Sequence, residues 1–334
     1  MEKTVKVAAF ATESHYGDEE YLNAKKAIEY LEQAARAKAQ LVCFPEGFPG
    51  PCHGNLDVEE SPLEMICQKA KEYGLYVVAS NLERNPEIEG TYYLTSKLVS
   101  PEGKILANYK RVQPDHPQLN AWLMNGRKHV LPGNDIMVVE TELGKIGLQI
   151  CSELYVPEIS RIQMLKGATI IIAPVSGATK PSHFKLKETW QCIARARAAE
   201  NLLYVVISEN VFYRDNRKNF LGVASVSGPE GFLAKCPETP EPCMLTATLD
   251  MERIEWLRTR YVESELLAEP SSENFRPIGT RTGQIHDRRP EMYQSLIEPQ
   301  EDAFNYFYFR NGLDAYGLEY KKVRGDDTRK PNRG

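Results

Sequence analysis

Residues 144–158 read GKIGLQICSELYVPE, and the prediction of the fold starts from this stretch. The apolar run from Ile146 to Ile150 predicts a strand that ends at Cys151. Pro157 opens the next helix, because proline fits the first helical position. A thiol between a strand end and a helix start lies close to backbone N–H groups, which can receive developing negative charge. Cys151 is therefore a candidate nucleophile, and a buried structural cysteine is the alternative interpretation.

Residues 41–50, LVCFPEGFPG, place a carboxylate at a second strand end. An apolar strand from Leu41 to Phe44 leads directly to Glu46, in a turn rich in glycine and proline. Burial beside Phe44 and Phe48 would disfavour the charged form of the carboxyl group, which suits it to proton transfer near neutral pH. Glu46 is thus a candidate general base, whereas a solvated turn glutamate is the commoner role of a single Glu.

Residues 104–113, KILANYKRVQ, carry a strand out into a loop at Lys110. A cation held near a thiol and a carboxylate can keep the thiolate charged and stabilise an oxyanion. Lys110 is the third candidate, with an ordinary lysine at a strand edge as the alternative.

The order of predicted elements repeats in the two halves of the chain. The first half comprises strands 5–11, 41–44 and 75–81, helices 19–38 and 62–73, and a hairpin of 91–99 and 105–110. The second comprises strands 146–150, 169–174 and 202–208, helices 157–166 and 185–200, and a hairpin of 222–227 and 231–235. Such alternation predicts an α/β fold in which helices cover sheets. An internal duplication would stack two sheets face to face, and periodicity alone does not distinguish this arrangement from one doubly wound sheet.

The composition excludes several classes of protein. The 334 residues are 42% hydrophobic and 26% charged, as in ordinary globular domains. The net charge of -5 predicts no nucleic-acid-binding surface, and no apolar run is long enough to predict a membrane span. The seven cysteines are scattered without a Cys-x-x-Cys pair, so neither a disulfide framework nor a metal site is expected. A reducing, cytoplasmic location is the simplest expectation.

Together, the three segments resemble those of a known family. Glu46 after Phe-Pro, Lys110 after Tyr and Cys151 after Gly-x-x-Ile follow the order found in the nitrilase superfamily of carbon–nitrogen hydrolases. The resemblance extends from about residue 5 to about residue 296. It includes four further segments, at 132–135 followed by 143–147, at 190–201, at 222–231 and at 288–293. It implies a four-layer α-β-β-α sandwich formed by residues 1–297. Residues 298–334 would be an extension, aromatic at 305–310 and charged from 321 onward.

The resemblance implies covalent catalysis without a metal or an organic cofactor. Glu46 would take the thiol proton of Cys151 and later activate water, while Cys151 attacks a carbonyl or nitrile carbon. Lys110 and the backbone N–H of Ser152 would stabilise the oxyanion. The expected reaction is hydrolysis of a small carboxamide through a thioester, which releases an acid and ammonia or an amine.

One part of the family pattern is missing from this chain. The family commonly has a second glutamate shortly before the segment that corresponds to Pro132-Gly133, but residues 112–131 contain none. Asn125 falls near that place and is a candidate substrate-binding residue, although it cannot balance a charge. Asp115 is a possible substitute from another position in the loop.

The substrate is predicted only by class. Ser152, Val175, Ser176 and Gly177 are candidate substrate contacts, with an ordinary turn as an equal alternative for 175–177. Nitrile-hydrolysing members usually have tryptophan where this chain has Ser152, which favours an amidase. A carbamoyl amino acid hydrolase or a nitrilase is the alternative, and a binding or regulatory protein with the same fold is a second one. The resemblance also implies a homodimer or a larger homo-oligomer.

Overall fold

The computed structural model describes residues 2–114, 129–176, 185–214, 217–237, 241–259, 285 and 288–297. The strands within these ranges are β1 (Thr4–Ser14), β2 (Leu41–Cys43), β3 (Tyr76–Arg84), β4 (Thr91–Val99), β5 (Ile105–Lys110), β6 (His129–Val130), β7 (Val138–Thr141), β8 (Gly144–Leu148), β9 (Ile170–Val175), β10 (Tyr204–Arg214), β11 (Arg217–Asn219), β12 (Ser225–Gly228), β13 (Gly231–Lys235) and β14 (Cys243–Asp250). The α-helices are α1 (Leu22–Arg36), α2 (Pro62–Tyr73), α3 (Pro157–Leu165), α4 (Lys185–Asn201) and α5 (Met251–Thr259).

The strands form two groups that are joined at one corner. Hydrogen bonding follows the order β5-β4-β3-β2-β1-β10-β9-β8-β7. β1 pairs with β14 along Thr4–Ala11, but it meets β10 only at its end, from Ala11 to Ser14. On its other side β10 pairs with β9. On the side of β1, the earlier part of β10 pairs with β12. Each half of the chain therefore builds its own group of strands, as the repeated order of elements predicts.

Alternating side chains divide the interior into three main layers. Val7 and Ala9 of β1 lie in one hydrophobic cluster together with Ile170 and Ile172 of β9. Their neighbours in β1, Ala8 and Phe10, lie instead in a cluster with residues of α1 and α2. Ile171 and Ala173 of β9 likewise lie with residues of α4. The predicted α/β fold is confirmed, and the three clusters are consistent with two sheets packed face to face under outer helices.

The helix boundaries follow local capping signals. The side chain of Ser61 accepts the backbone N–H of Glu64 at the start of α2, and Pro62 takes its first position. Gly74 ends the helix with φ of 65°, which glycine adopts without strain. Pro157 begins α3, but a 3-10 turn, Cys151–Tyr155, precedes this helix and follows the strand.

The strand directions bring the candidate residues to one end of the sheets. β2, β1, β10, β9 and β8 are parallel neighbours, and β3 is parallel to β2. Two antiparallel steps, through β4, give β5 the same direction. Glu46, Arg111, Cys151 and Ser176 each follow one of these strands, so they lie near the same edge of the molecule.

The extension at 298–334, with its aromatic segment at 305–310, lies outside the described residues. Among the helices that are described, none is long and apolar enough to cross a bilayer.

Candidate active site

Cys151 occupies a strained turn directly after the strand β8. Its φ is +54°, in the left-handed region that non-glycine residues rarely adopt. Such a conformation costs about 1–3 kcal/mol, and it persists where the surrounding structure fixes it. Cys151 is partly buried and packs against both the cluster between the sheets and the cluster under α4. The thiol thus lies at the boundary between the core and the edge of the second sheet.

The buried carboxylate of Glu153 holds this turn in place through hydrogen bonds. It accepts the backbone N–H of Ile150 at 2.7 Å, which closes the start of the 3-10 turn. It also accepts the backbone N–H groups of Val112 at 2.7 Å and Gln113 at 2.9 Å, and the hydroxyl of Tyr109 at 2.8 Å. One buried carboxylate therefore joins the end of β5 to the cysteine turn.

The ionisation of Glu153 reflects two opposing effects. Burial raises the pKa of this carboxyl above its usual value, since the charged form is removed from water. The nearby guanidinium of Arg111 and the hydrogen bonds to Glu153 oppose that rise.

Glu46 lies in the turn after β2 and is only 6% exposed. Its Oε1 accepts a hydrogen bond from Nη1 of Arg111 at 3.2 Å. Its backbone carbonyl accepts a hydrogen bond at 2.8 Å from the side-chain amide of Asn210, in the middle of β10. The carboxylate is buried, as the sequence predicts, and it is held from the side chain and from the backbone.

Arg111 connects Glu46 with the cysteine turn. This side chain is 1% exposed and is among the largest fully buried side chains that the structure describes. While Nη1 donates to Glu46, Nη2 donates to Oγ of Ser152 at 2.5 Å. A single guanidinium therefore contacts the candidate base and the residue after the candidate nucleophile.

Lys110 lies on the other face of the same strand, which corrects the placement predicted for it. Successive side chains of a strand point to opposite faces. Tyr109 and Arg111 are buried, whereas Lys110 places its Nζ 3.9 Å from the centre of the Tyr93 ring. Lys110 pairs in register with Thr95 of β4, whose side chain belongs to that outer face. The structure brings Arg111, and not Lys110, to Glu46.

The sequence does contain a signal for Arg111. Ala107 and Tyr109 lie in the cluster between the sheets, and Arg111 continues that face in steps of two. Lys110 fits the family triad by its position after a tyrosine, but that position does not show which of two neighbouring cations faces the site.

The predicted substrate contacts are placed in part. Ser152 binds Arg111 through its hydroxyl, and Val175 is fully buried in the cluster against which Cys151 packs. Ser176 follows β9 with a buried Oγ that has no hydrogen-bond partner among the residues the structure describes. Gly177 and Asn125, as well as Asp115, lie outside the described residues.

Two buried polar residues in the middle of β10, Glu209 and Asn210, were not predicted, and Asn210 supports the site directly. Asn210, besides holding Glu46, accepts the hydroxyl of Ser14 at 2.6 Å through its Oδ1. The carboxylate of Glu209 accepts four consecutive backbone N–H groups, from residues 221–224. The signal is three polar residues, 208–210, that directly follow the apolar run of a central strand, where buried polar groups require partners.

The arrangement suits covalent acyl transfer. Cys151, whose backbone is strained, follows one strand, and the buried carboxylate of Glu46 follows another. The guanidinium of Arg111 lies between their two turns. In the described ranges, no group of three His, Cys, Asp or Glu side chains could hold a metal ion.

Comparisons with known proteins identify the family. The model of the carbon–nitrogen hydrolase family matches residues 6–259. An omega-amidase NIT2-B from Xenopus laevis is 26% identical over 249 residues, which cover 71% of this chain and 86% of that protein. A deaminated glutathione amidase from Bos taurus is 28% identical over 298 residues, which cover 83% and 80% of the two chains.

Solved structures share the fold at lower identity. The structure of an amidase from Nesterenkonia sp. superposes with a TM-score of 0.65 at 19% identity, covering 89% of this chain and 98% of that one. Nit3 of Saccharomyces cerevisiae, a member of the nitrilase superfamily, gives a TM-score of 0.65 at 23% identity, covering 81% and 98%. Because the family model matches more than half of the sequence, the chain belongs to the carbon–nitrogen hydrolase family, as an enzyme of the amidase-like kind in the nitrilase superfamily.

Proposed function

We propose that the protein hydrolyses a small carboxamide through a thioester on Cys151. The observation that carries this proposal is the contact of one buried guanidinium with both Glu46 and Ser152. That contact holds a buried carboxylate beside the turn of a strained cysteine, which is the constellation that nucleophilic catalysis needs.

The proposed steps use these groups and water. Glu46 takes the thiol proton, and Sγ of Cys151 forms a bond to the carbonyl carbon of the amide. The resulting oxyanion is stabilised by the backbone N–H of Ser152 and by the positive charge of the site. The carbon–nitrogen bond then breaks, and Glu46 returns the proton to the departing ammonia or amine. Water, deprotonated by Glu46, attacks the thioester and releases the acid and the thiol.

Named relatives support an amide as the substrate. The Xenopus relative is an omega-amidase, and the bovine relative is an amidase of deaminated glutathione. A variant of the Nesterenkonia amidase carries the acetamide moiety of fluoroacetamide on its active-site cysteine. A terminal carboxamide of a small acid is therefore the first substrate to test, with Val175 and Ser176 as proposed walls of its pocket.

The test measures ammonia release from carboxamides, N-carbamoyl amino acids and nitriles. We expect turnover of one or more carboxamides that is abolished in Cys151→Ala. Cys192→Ala is the matched control, since Cys192 is an exposed cysteine on α4, and it should retain the wild-type rate. Turnover that survives in Cys151→Ala would refute the role of Cys151 as the nucleophile. Turnover of nitriles or carbamoyl compounds alone would refute a carboxamide as the substrate.

The setting and assembly are proposed along with the reaction. We infer that residues 1–297 form one hydrolase domain that works in the cytoplasm as a homodimer or a larger homo-oligomer. All seven cysteines are free, which suits a reducing compartment. Light scattering of the purified protein tests the assembly, and a monomer at micromolar concentration would contradict it.

A further inference from the structure

We propose that Arg111 supplies the positive charge of the active site, in the role that the family resemblance gives to a lysine. This inference rests on the proposed function and names a further residue that contacts the reacting groups. Lys110, the neighbouring cation, has no part in it.

The backbone of Arg111 is fixed on both sides. Its N–H donates to the carbonyl of Leu94 at 2.9 Å, and its carbonyl accepts the N–H of Gly133 at 2.8 Å. A Cβ on Gly133 would lie 2.3 Å from the carbonyl oxygen of Lys110, so this close approach requires glycine. The chain therefore directs the side chain of residue 111, and not that of residue 110, between the two sheets.

The charges around Arg111 require a cation at this place. Glu46 and Glu153 are both buried, at 6% and 0% exposure, and formation of a thiolate on Cys151 would add a third negative charge. A buried charge is costly unless it is paired and hydrogen-bonded. The guanidinium of Arg111 meets Glu46 directly and acts on Glu153 through its charge. It is placed to offset the thiolate and the oxyanion in turn.

An arginine changes the chemistry that a lysine would provide. A lysine ammonium loses its proton near pH 10.4, at roughly its ordinary pKa, whereas a guanidinium stays charged throughout the range in which proteins are folded. The arginine fork also donates to two acceptors at once, as it does to Glu46 and Ser152. Because a guanidinium does not give up its proton, the leaving amine must receive its proton from Glu46.

The experiment compares Arg111→Lys, Arg111→Ala and Lys110→Ala in the full-length chain. We expect Arg111→Ala to lower kcat/KM by about 100-fold or more, as loss of an oxyanion-stabilising group does. Millimolar guanidinium should restore part of that activity, whereas methylammonium should not. Arg111→Lys should keep some activity but lose it at alkaline pH, with a midpoint near that of lysine. Lys110→Ala should stay within about threefold of the wild type, because its side chain lies on the outer face.

A second measurement separates this inference from the proposed function. The rate of alkylation of Cys151 by iodoacetamide reports the thiolate without any substrate, and it should fall in Arg111→Ala but not in Lys110→Ala. Melting curves of all variants identify those that remain folded, and Arg111→Lys is the conservative variant if Arg111→Ala does not fold. Equal losses in the Lys110 and Arg111 variants, or an unchanged pH profile in Arg111→Lys, would overturn the role of Arg111. If the protein did not hydrolyse carboxamides, the proposed function would fail. The expected difference in alkylation rate between Arg111→Ala and Lys110→Ala would still hold.

Discussion

At the residue scale, Glu153 is the group that sets the distance between the two halves of the active site. Its four hydrogen bonds come from β5, from the loop after β5 and from the residue before Cys151. In Glu153→Gln, an amide NH₂ would face backbone N–H groups that now donate to a carboxylate oxygen. Leaving buried donors unpaired costs about 1–3 kcal/mol. We expect that loss of stability together with a fall in kcat and in the alkylation rate of Cys151.

Glu209→Gln provides the matched control for Glu153→Gln. Glu209 is also a fully buried carboxylate, and it likewise accepts backbone N–H groups, but from residues 221–224. Urea unfolding should show a comparable loss of stability in both variants. The alkylation rate should fall further in Glu153→Gln. An equal fall in both would mean that Glu153 acts only through the stability of the fold.

Individual residues of the candidate site differ in how well the sequence predicts them. The sequence predicts Glu46 and Cys151 as candidates because each follows an apolar strand. The structure buries Glu46 and gives Cys151 a strained backbone conformation. The sequence does not single out Arg111, since two cations are adjacent. Only the face of β5 to which each side chain points distinguishes them. Glu153 follows the cysteine by two residues, and in the sequence it looks like a surface residue. Only the folded structure shows that the loop after β5 supplies its hydrogen-bond donors.

At the scale of elements, the middle of β10 connects the two groups of strands next to the site. Asn210 donates to the carbonyl of Glu46 and accepts from Ser14 of β1. In Asn210→Ala the buried carbonyl of Glu46 would lose its donor, at a cost of about 1–3 kcal/mol. The turn that carries the carboxylate would then lose its fixed position. We expect a lower kcat with a smaller change in KM, measured at saturating carboxamide.

Asn201→Ala is the control for that variant. Asn201 is as deeply buried at the end of α4, and its side-chain amide donates to the carbonyl of Arg197. It should lose comparable stability in urea and keep its kcat. If both variants lowered kcat equally, the connection between Asn210 and Glu46 would have no special part in catalysis.

The sequence predicts the bounds of some helices and strands but misses other elements. α2, β4 and β5 were predicted with the bounds that the structure shows, because capping and turn residues mark their ends. β14 and α5 are missing from the elements predicted above, although both carry a periodic signal. In β14, Leu245, Ala247 and Leu249 alternate with polar residues, and in α5 the buried residues recur at every third position. The 3-10 turn between β8 and α3 was likewise missed, and it is this turn that strains Cys151.

At the scale of the whole molecule, the site depends on both groups of strands at once. Glu46 and Arg111 follow strands of the first half, and Cys151 follows a strand of the second. Because the strands run in one direction, three remote segments of sequence end at the same edge. The repeated order of elements predicts that convergence, whereas the contacts among side chains appear only when the two halves pack together.

Alkaline pH tests the stability of this packing. Burial raises the pKa of Tyr30 and of Tyr204 to about 12. An exposed tyrosine in the unfolded chain titrates near pH 10, at about its ordinary pKa. Between pH 10 and 12 the unfolded chain therefore loses protons that the folded chain keeps, so the free energy of unfolding falls as pH rises. The contribution of both residues is complete below pH 10.

The double variant Tyr30→Phe/Tyr204→Phe should be less stable at pH 8, because the hydroxyl of Tyr204 binds Asp250 and that of Tyr30 accepts the N–H of Glu13. Its stability should nevertheless fall less steeply from pH 10 to 11.5 than that of the wild type, as measured by urea unfolding. Tyr21→Phe, at an exposed position, should keep the wild-type slope. Identical slopes in all three proteins would exclude Tyr30 and Tyr204 as the cause. Since a guanidinium keeps its charge over this range, the alkaline loss of activity in the wild type should follow unfolding, whereas in Arg111→Lys activity should disappear before the protein unfolds.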